Sequence, residues 1–353
     1  VFEQNDVRKR ITYGRHTGFR KNIADFLEKL GLGFDDDVEL SVSLEYKDGI
    51  AATASLAGPV VKCVGIDPAF RGHGLTARLL TDIEMEAYHR GEHHLFLFTL
   101  PANRRWFEEL GYKLVIATEN VLLLEKPGGE IDRFILSLER ERGKRASRES
   151  SGIIVMNANP FTLGHLYLIE RAIDSCDHLY IFPVLEGKSV FPYEVRRRLI
   201  EEGTAHMDSV TVLPGSPYII SSATFPGYFI SSRGERRQVQ AELDLRLFSS
   251  RIAPSLGSDR RYVGTEPYCP VTSAYNLAMK KILPQYGIQL IEIPRTCSGD
   301  FAVSASSVRA DLAAGIDETR LKTLVPESTL HFLLSPEAMP IIAQIRQFPE
   351  SRH

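Results

Sequence analysis

The sequence predicts an α/β protein in two parts: an α+β domain, then a doubly wound parallel sheet of Rossmann-like build. Three observations predict it. Up to about residue 126, apolar runs that read as strands, two of them joined by a tight turn, are interspersed with short helices. From Gly152 onward, apolar strands alternate regularly with helices, as in a parallel sheet covered on both faces. Between the two, Arg140 to Arg148 is charged and has only Ala146 as an apolar residue, which suits a solvated connection. We therefore expect domains over 1–126 and 152–335, a charged linker over 127–151, and a terminal helix and tail over 336–353.

Residues Val1 to Arg20 are polar and mixed, and no element is expected there. Arg20 to Leu30 carries Ile23, Phe26, Leu27 and Leu30 at helical spacing. Val38, Leu40, Val42, Leu44 and Tyr46 alternate as a half-buried strand, and Lys47-Asp48-Gly49 turns it into a second, Ile50 to Leu56. Asp35 to Asp37 read as a solvated loop. Val60 to Ile66 is a third strand, and Arg71-Gly72-His73-Gly74 leads from it into a helix bearing Leu75, Leu79, Leu80 and Ile83. A strand, a Gly-rich turn and a helix can cradle an anion, although a plain turn explains the same glycines. His93 to Leu100 is a strand, and Asn103 to Tyr112 a short helix with a Gly cap, its Trp106 and Phe107 expected in the core.

The totals set limits. The 353 residues are 43% hydrophobic, enough for a core in each of two domains. With 42 Lys+Arg against 45 Asp+Glu the net charge is -3, which predicts neither a nucleic-acid nor an anionic-membrane partner. The four cysteines, Cys63, Cys176, Cys269 and Cys297, are scattered without a C-x-x-C pair. That argues against a disulfide framework or a thiolate metal site and fits a reducing cytoplasm. No run approaches a membrane span, and no signal-peptide pattern opens the chain. The chain opens on Val1 rather than Met, so a start upstream is expected.

The second part is organised around Gly152 to His165. Ile153 to Met156 read as a buried strand, Asn157, Asn159 and Pro160 break it, and Leu166, Ile169 and Ile173 continue as a helix. Thr162 and His165 fall where that helix starts, so backbone N–H groups and the positive end of its dipole face the strand's carboxyl end. Gly164 leaves room there for a ligand, and His165 can donate to a phosphoryl oxygen that gains charge. An N-capping Thr beside an idle His fits the spacing equally well.

Further strands follow at His178 to Val184, Val210 to Leu213, Arg261 to Gly264 and Ile288 to Ile293. Lys188, beyond the second strand of this part, reads either as a phosphate contact or as a surface lysine. The helix from Pro192 to Ala205 turns Val195, Leu199 and Ile200 inward, leaving Arg196, Arg197 and Arg198 for its wet face. Val239, Leu243 and Leu247 mark a long helix. Gly264, Thr265 and Glu266 end a strand where a ribose or base could be read, or form an ordinary loop. Ser304 and Ser306 precede a helix of Leu312 and Ala313 with Arg309 on its first turn; a capped helix with a surface arginine would look the same, but beside the Thr162–His165 helix start a pyrophosphate contact is the favoured reading.

Thr-x-Gly-His after an apolar strand resembles the T/H-x-G-H signature of the adenylyl-transferring nucleotidyltransferases. The longer run Met156-Asn157-Ala158-Asn159-Pro160-Phe161-Thr162-Leu163-Gly164-His165 resembles the citrate lyase ligase family, as does Gly264-Thr265-Glu266-Pro267 with Val271-Thr272. Val303 to Arg309 resembles the superfamily's second signature, I-S-S-T-x-x-R; Ile220 to Phe225 mimics it too early in the chain and without the arginine. Val38 to Glu125 resembles GNAT acetyltransferases, whose R/Q-x-x-G-x-G/A loop holds the pyrophosphate of coenzyme A. Here Thr76 replaces the loop's last Gly or Ala.

These resemblances imply a ligase that uses ATP, with Mg²⁺, to make acetyl adenylate from acetate, then passes the acetyl group to a coenzyme A-like thiol on the citrate lyase acyl carrier subunit. They imply His165, Thr162 and Lys188 as catalytic, and Asn157, Asn159, Phe161, Gly164, Gly264, Thr265, Glu266, Ser304, Ser306 and Arg309 as nucleotide contacts. Arg71, Gly72 and Gly74 are implied for a pantetheine or coenzyme A arm. An adenylyltransferase acting on a phosphate-bearing metabolite such as phosphopantetheine, fused to an acetyltransferase-like domain, is the alternative. A module that binds nucleotide or carrier without reaction is a third.

Overall fold

The computed structural model describes residues 6–14, 17–144, 149–185, 189–219, 233–265, 270–294, 297–298, 301–315 and 317–347. Its contacts divide the chain into two units, Val1–Phe134 with Ser222–Leu247, and Ile135–Ser221 with Phe248–His353.

The first unit runs β1 (Arg8–Tyr13), α1 (Thr17–Lys29), β2 (Leu40–Tyr46), β3 (Gly49–Ala57), β4 (Val60–Ile66), α2 (Leu75–His89), β5 (Leu95–Thr99), α3 (Arg104–Glu109), β6 (Lys113–Ala117) and β7 (Leu122–Lys126). The seven strands form one sheet in the order β1-β2-β3-β4-β5-β7-β6. Only β4 and β5 run parallel, and they pair at their first residues alone, Val60 with Phe96 and Val61 with Leu97. Beyond that point the two strands share no described pairing.

Strand β1 forms where no element was expected. It lies on the sheet edge, held by backbone pairing to β2, and most of its side chains face outward, so no apolar pattern marks it. The alternation over β2 predicts one wet face, yet Ser41 and Ser43 are buried as well. Their hydroxyls lie 2.8 Å from Ser55 and 3.4 Å from Thr53 across β3. Both faces are covered because the apolar side of α2 fills one and that of α1 the other. Gly65 admits α1, since a Cβ there would stand 2.8 Å from Leu27.

The acids at 35–37 are not simply solvated. Lys62, only 2% exposed, pairs with Asp35 at 2.9 Å and Asp37 at 3.0 Å. Burial alone would lower its pKa; the two carboxylates outweigh that and hold it above the ordinary lysine value. Trp106, expected in the core, is 59% exposed, and Phe107 takes the buried position beside it.

The stretch expected as a linker holds α4 (Glu130–Arg142), whose start is anchored by Glu125: that buried carboxylate accepts from the N–H groups of Gly129 (2.9 Å) and Ile131 (3.2 Å). Ile131 and Leu138 are buried, so the charges hide an amphipathic helix.

The second unit continues with β8 (Ser151–Met156), α5 (Leu163–Ile173), β9 (His178–Pro183), α6 (Tyr193–Thr204) and β10 (Val210–Val212). Next in sequence, α7 (Arg233–Leu247) packs against β6, the edge strand of the first unit's sheet. A helix expected inside a continuous second domain thus belongs to the first unit, because that sheet's edge offers its apolar residues a place to bury. After a π-helical turn come α8 (Ala253–Ser255), β11 (Arg260–Gly264), α9 (Pro270–Ile282) and β12 (Gln289–Ile293). A two-stranded ribbon, β13 (Cys297–Ser298) and β14 (Phe301–Ala302), leads to α10 (Ala305–Ala314), α11 (Glu318–Leu321), α12 (Glu327–Leu333) and α13 (Met339–Gln347).

The five longer strands make a parallel sheet in the order β10-β9-β8-β11-β12, so the winding reverses between β8 and β11. In such sheets ligands bind outside the carboxyl ends of the strands at that reversal. The terminal helix α13 is no tail: Ile341, Ile342 and Ile345 enter the same core as β8, α5 and α10. No helix of the described residues is long and apolar enough to cross a membrane.

Candidate functional site

In the loop from β8 to α5, Ala158, two residues past the strand, turns the chain at φ 47°. Thr162 is the N-cap of α5 in extended conformation, and it forms a reciprocal cap with His165. The Thr162 N–H donates to His165 Nδ1 at 3.1 Å, and the Thr162 hydroxyl lies 2.8 Å from the same nitrogen. An Nδ1 that accepts a hydrogen bond carries no proton, so in the neutral ring the hydrogen is on Nε2. The capping box thereby selects the tautomer that leaves Nε2 a donor.

Behind the imidazole, Phe161 stacks with ring centroids 5.9 Å apart and planes 20° from parallel. Phe161 is wholly buried, so its side chain backs His165 instead of lying open to a nucleotide as its motif position implied. Gly164 also has a different reason than ligand access. A Cβ there would stand 2.7 Å from the Val303 carbonyl, so the glycine lets the segment before α10 close onto α5.

That closure joins the two signatures. Ser304 caps α10, accepting from the Ser307 N–H at 3.1 Å. From the first turns of α10, Arg309 Nη1 donates to the Asn159 carbonyl in the first signature loop, while Nη2 lies 3.4 Å from Ser306 Oγ. Burial pushes the Arg309 guanidinium below its ordinary value, yet an arginine stays charged at neutral pH. Two helix N-termini, a histidine donor and an arginine therefore converge beyond the carboxyl end of β8.

Asn159 is buried and accepts from the Phe191 N–H at 3.0 Å, which makes it a brace between loops. Asn157 is exposed. Gly264 ends β11 beside the winding reversal, and a Cβ added to it would meet nothing within 4 Å. Thr265, half-buried, donates its N–H to Ile293 at 3.0 Å. Lys188 and Glu266 lie outside the described residues, as does the 220–225 mimic.

One residue escaped the sequence reading. Arg196, assigned there to the wet face of α6, is 0% exposed. Its Nε donates to the Phe191 carbonyl at 3.0 Å; its Nη1 donates to the carbonyls of Asn157 (2.7 Å) and Val184 (2.9 Å) and to Asn157 Oδ1 (2.9 Å). It stands four residues before inward Ile200, a helical signal that its charge and its two arginine neighbours obscured.

In the first unit, Gly72 and Gly74 adopt left-handed conformations with φ 81° and 73°, and Gly74 is the N-cap of α2. Arg71, Gly72 and Gly74 are all exposed, and no Cβ contact would fill the space at Gly72. The loop thus has the backbone of an anion cradle. Thr76, the departure from the motif, is half-buried on the first turn of α2.

The first unit is an α+β sheet whose one parallel pair splays, and the second a doubly wound α/β sheet with two capped helices at its reversal point. Residues 151–333 match the model for the citrate lyase ligase C-terminal domain, and residues 24–112 match that for the acetyltransferase (GNAT) family. The citrate (pro-3S)-lyase ligase of Klebsiella pneumoniae is 39% identical over 335 residues, 93% of this chain and 96% of the relative. That of Escherichia coli K12 is also 39% identical over 335 residues, 93% of this chain and 94% of the relative. A phosphopantetheine adenylyltransferase of Streptococcus agalactiae is 26% identical over 147 residues, 38% of this chain and 90% of its own. The chain belongs to the citrate lyase ligase family.

Proposed function

We propose that the protein is an ATP-dependent acid-thiol ligase that activates acetate and acetylates the prosthetic thiol of the citrate lyase acyl carrier subunit. An acetate oxygen attacks the α-phosphorus of ATP, the bond to the bridging oxygen breaks, and pyrophosphate leaves with acetyl adenylate as product. The thiol then adds to the acetyl carbonyl, AMP departs, and the thiol's proton passes to solvent. The observation that carries this reading is the bond from Arg309 to the Asn159 carbonyl, which holds the second signature over the first.

Acetate is already ionised at neutral pH, so the first step needs no general base and is mostly positioning and charge neutralisation. His165 Nε2–H donates to the α-phosphoryl oxygen, with Thr162 and Lys188 on neighbouring oxygens. Ser304, Ser306 and Arg309 take the departing pyrophosphate. Asn157 and the segment Gly264, Thr265 and Glu266 border the acid and the nucleoside. Among the described residues no three carboxylate, histidine or cysteine side chains gather as a metal site. Mg²⁺ would serve here as the counter-ion of the triphosphate and would neutralise the charge of the departing pyrophosphate beside Ser304, Ser306 and Arg309.

The first unit serves as the grip for the pantetheine-like arm, through Arg71 and the left-handed Gly72 and Gly74, and the reaction belongs in the reducing cytoplasm. The test is to supply ATP, labelled acetate and a carrier bearing the free thiol. Labelled thioester and AMP in equal amounts are expected. Transfer of AMP to phosphopantetheine without need of acetate would favour the metabolite adenylyltransferase instead.

A further inference from the structure

We infer that Arg196 is a positioning residue for acid activation: it fixes the carboxamide of Asn157 so that the amide nitrogen, not the oxygen, faces the substrates. This rests on the acetyl adenylate reading. A guanidinium can only donate, so the Asn157 atom that receives Nη1 at 2.9 Å has to be Oδ1. The Ser189 hydroxyl addresses the same oxygen at 3.1 Å. With its oxygen claimed twice, the carboxamide turns Nδ2 away from both donors, and among the described residues nothing accepts from it.

Asn157 is the first residue past β8, the strand at the winding reversal, and it is exposed there. An amide nitrogen in that place offers N–H donors to an incoming carboxylate or to the α-phosphoryl oxygens. The flipped carboxamide would present a carbonyl oxygen to the same anions and repel them. Arg196 also holds the backbone that carries this group, through the Asn157 and Val184 carbonyls at the ends of β8 and β9. A lysine has a single ammonium and cannot hold Phe191 O, Val184 O and both Asn157 oxygens in one plane.

The experiment measures acetate-dependent ATP–pyrophosphate exchange, with thermal midpoints alongside, for the full chain and for Arg196→Lys, Asn157→Ala and the double variant. Loss of one preorganised donor sets the scale: Asn157→Ala is expected to lower kcat/KM for acetate about 100-fold. Arg196→Lys is expected to lower it about 10-fold, and the double variant to fall no further than Asn157→Ala within about a factor of two, because one residue acts through the other. Effects that multiply to about 1000-fold would overturn the inference while leaving the acetate reading in place. Asn157→Asp keeps the acceptor for Arg196 but has no N–H, so it is expected to melt no lower than wild type and to lose exchange; wild-type exchange in that variant would overturn the inference. Should Arg196→Lys not fold, the Asn157→Asp arm decides alone. A wild-type chain without acetate-dependent exchange would refute the acetate reading and this inference together.

Discussion

Arg309 Nη1 donates to the backbone carbonyl of Asn159, across 150 residues of sequence, and so ties the start of α10 to the loop that follows β8. The contact braces the loop, and on the proposed reading the same guanidinium also meets the departing pyrophosphate. A lysine offers neither the fork nor the reach. Arg309→Lys is expected to lower kcat/KM for ATP about 10-fold and Arg309→Ala about 100-fold or more, read by pyrophosphate exchange. Unchanged kinetics in Arg309→Ala would remove the second signature from the site.

Gly164 is held to its identity by the Val303 carbonyl, 2.7 Å from where a Cβ would be. Gly164→Ala forces the backbone before α10 to move, an overpacking that costs on the order of 1–3 kcal/mol. A lowered midpoint in thermal melting, together with weaker nucleotide binding, is the expected pair of results. A variant as stable as wild type would show that the segment before α10 does not close on α5.

Gly74 caps α2 at φ 73°, where a side chain costs roughly 1–2 kcal/mol. Gly74→Val should therefore distort the turn of the first unit without touching the second. Acetate-dependent pyrophosphate exchange is expected to stay within about two-fold of wild type, the spread for a site with no shared partners. Acetylation of the carrier thiol should fall, with the larger effect on KM for the carrier. Equal loss in both assays would contradict the division of labour between the two units.

Cys63 is buried in the first unit beside Lys62, and burial is the main cause that pushes its thiol from an ordinary value of 9.0 up to about 12. The folded state keeps the proton that the unfolded chain releases above pH 9. Unfolded chains then bind fewer protons than folded ones, so stability falls as pH rises from about 9 towards 12, by at most about 1.4 kcal/mol per pH unit. Thermal midpoints should drop more steeply over this range in wild type than in Cys63→Ala. At pH 8, iodoacetamide should leave Cys63 unmodified in the folded protein. Rapid labelling would show that the thiol is not held in this core.

Much of the fold was legible because its signals are local. The alternation from Val38 to Tyr46, the Lys47 turn and the strand–loop–helix at Gly152 each state their geometry within a dozen residues, and the structure follows them. Three features were not, and each depends on a distant partner. Lys62, buried in β4, pairs with Asp35 and Asp37 from a distant strand, β1 exists through pairing with β2, and α7 joins the edge at β6. At the site, the motif placed Thr162 and His165 at the start of α5 and Ser304 at the start of α10, because capping chemistry is also local. It does not state that Phe161 is buried against His165 or that Gly164 meets the Val303 carbonyl, and the helix pattern, outside any motif, put the buried Arg196 on a wet face. What these three touch is the packing behind the site, and a short motif does not print its neighbours.

The most direct measurement of the central claim is ATP–pyrophosphate exchange with and without acetate, in wild type and in His165→Ala. Exchange that requires acetate and falls by about two or more orders of magnitude in the variant, the scale for one preorganised donor, is the predicted result. Exchange that proceeds without acetate, or that survives loss of the imidazole, would contradict acyl-adenylate formation at this histidine.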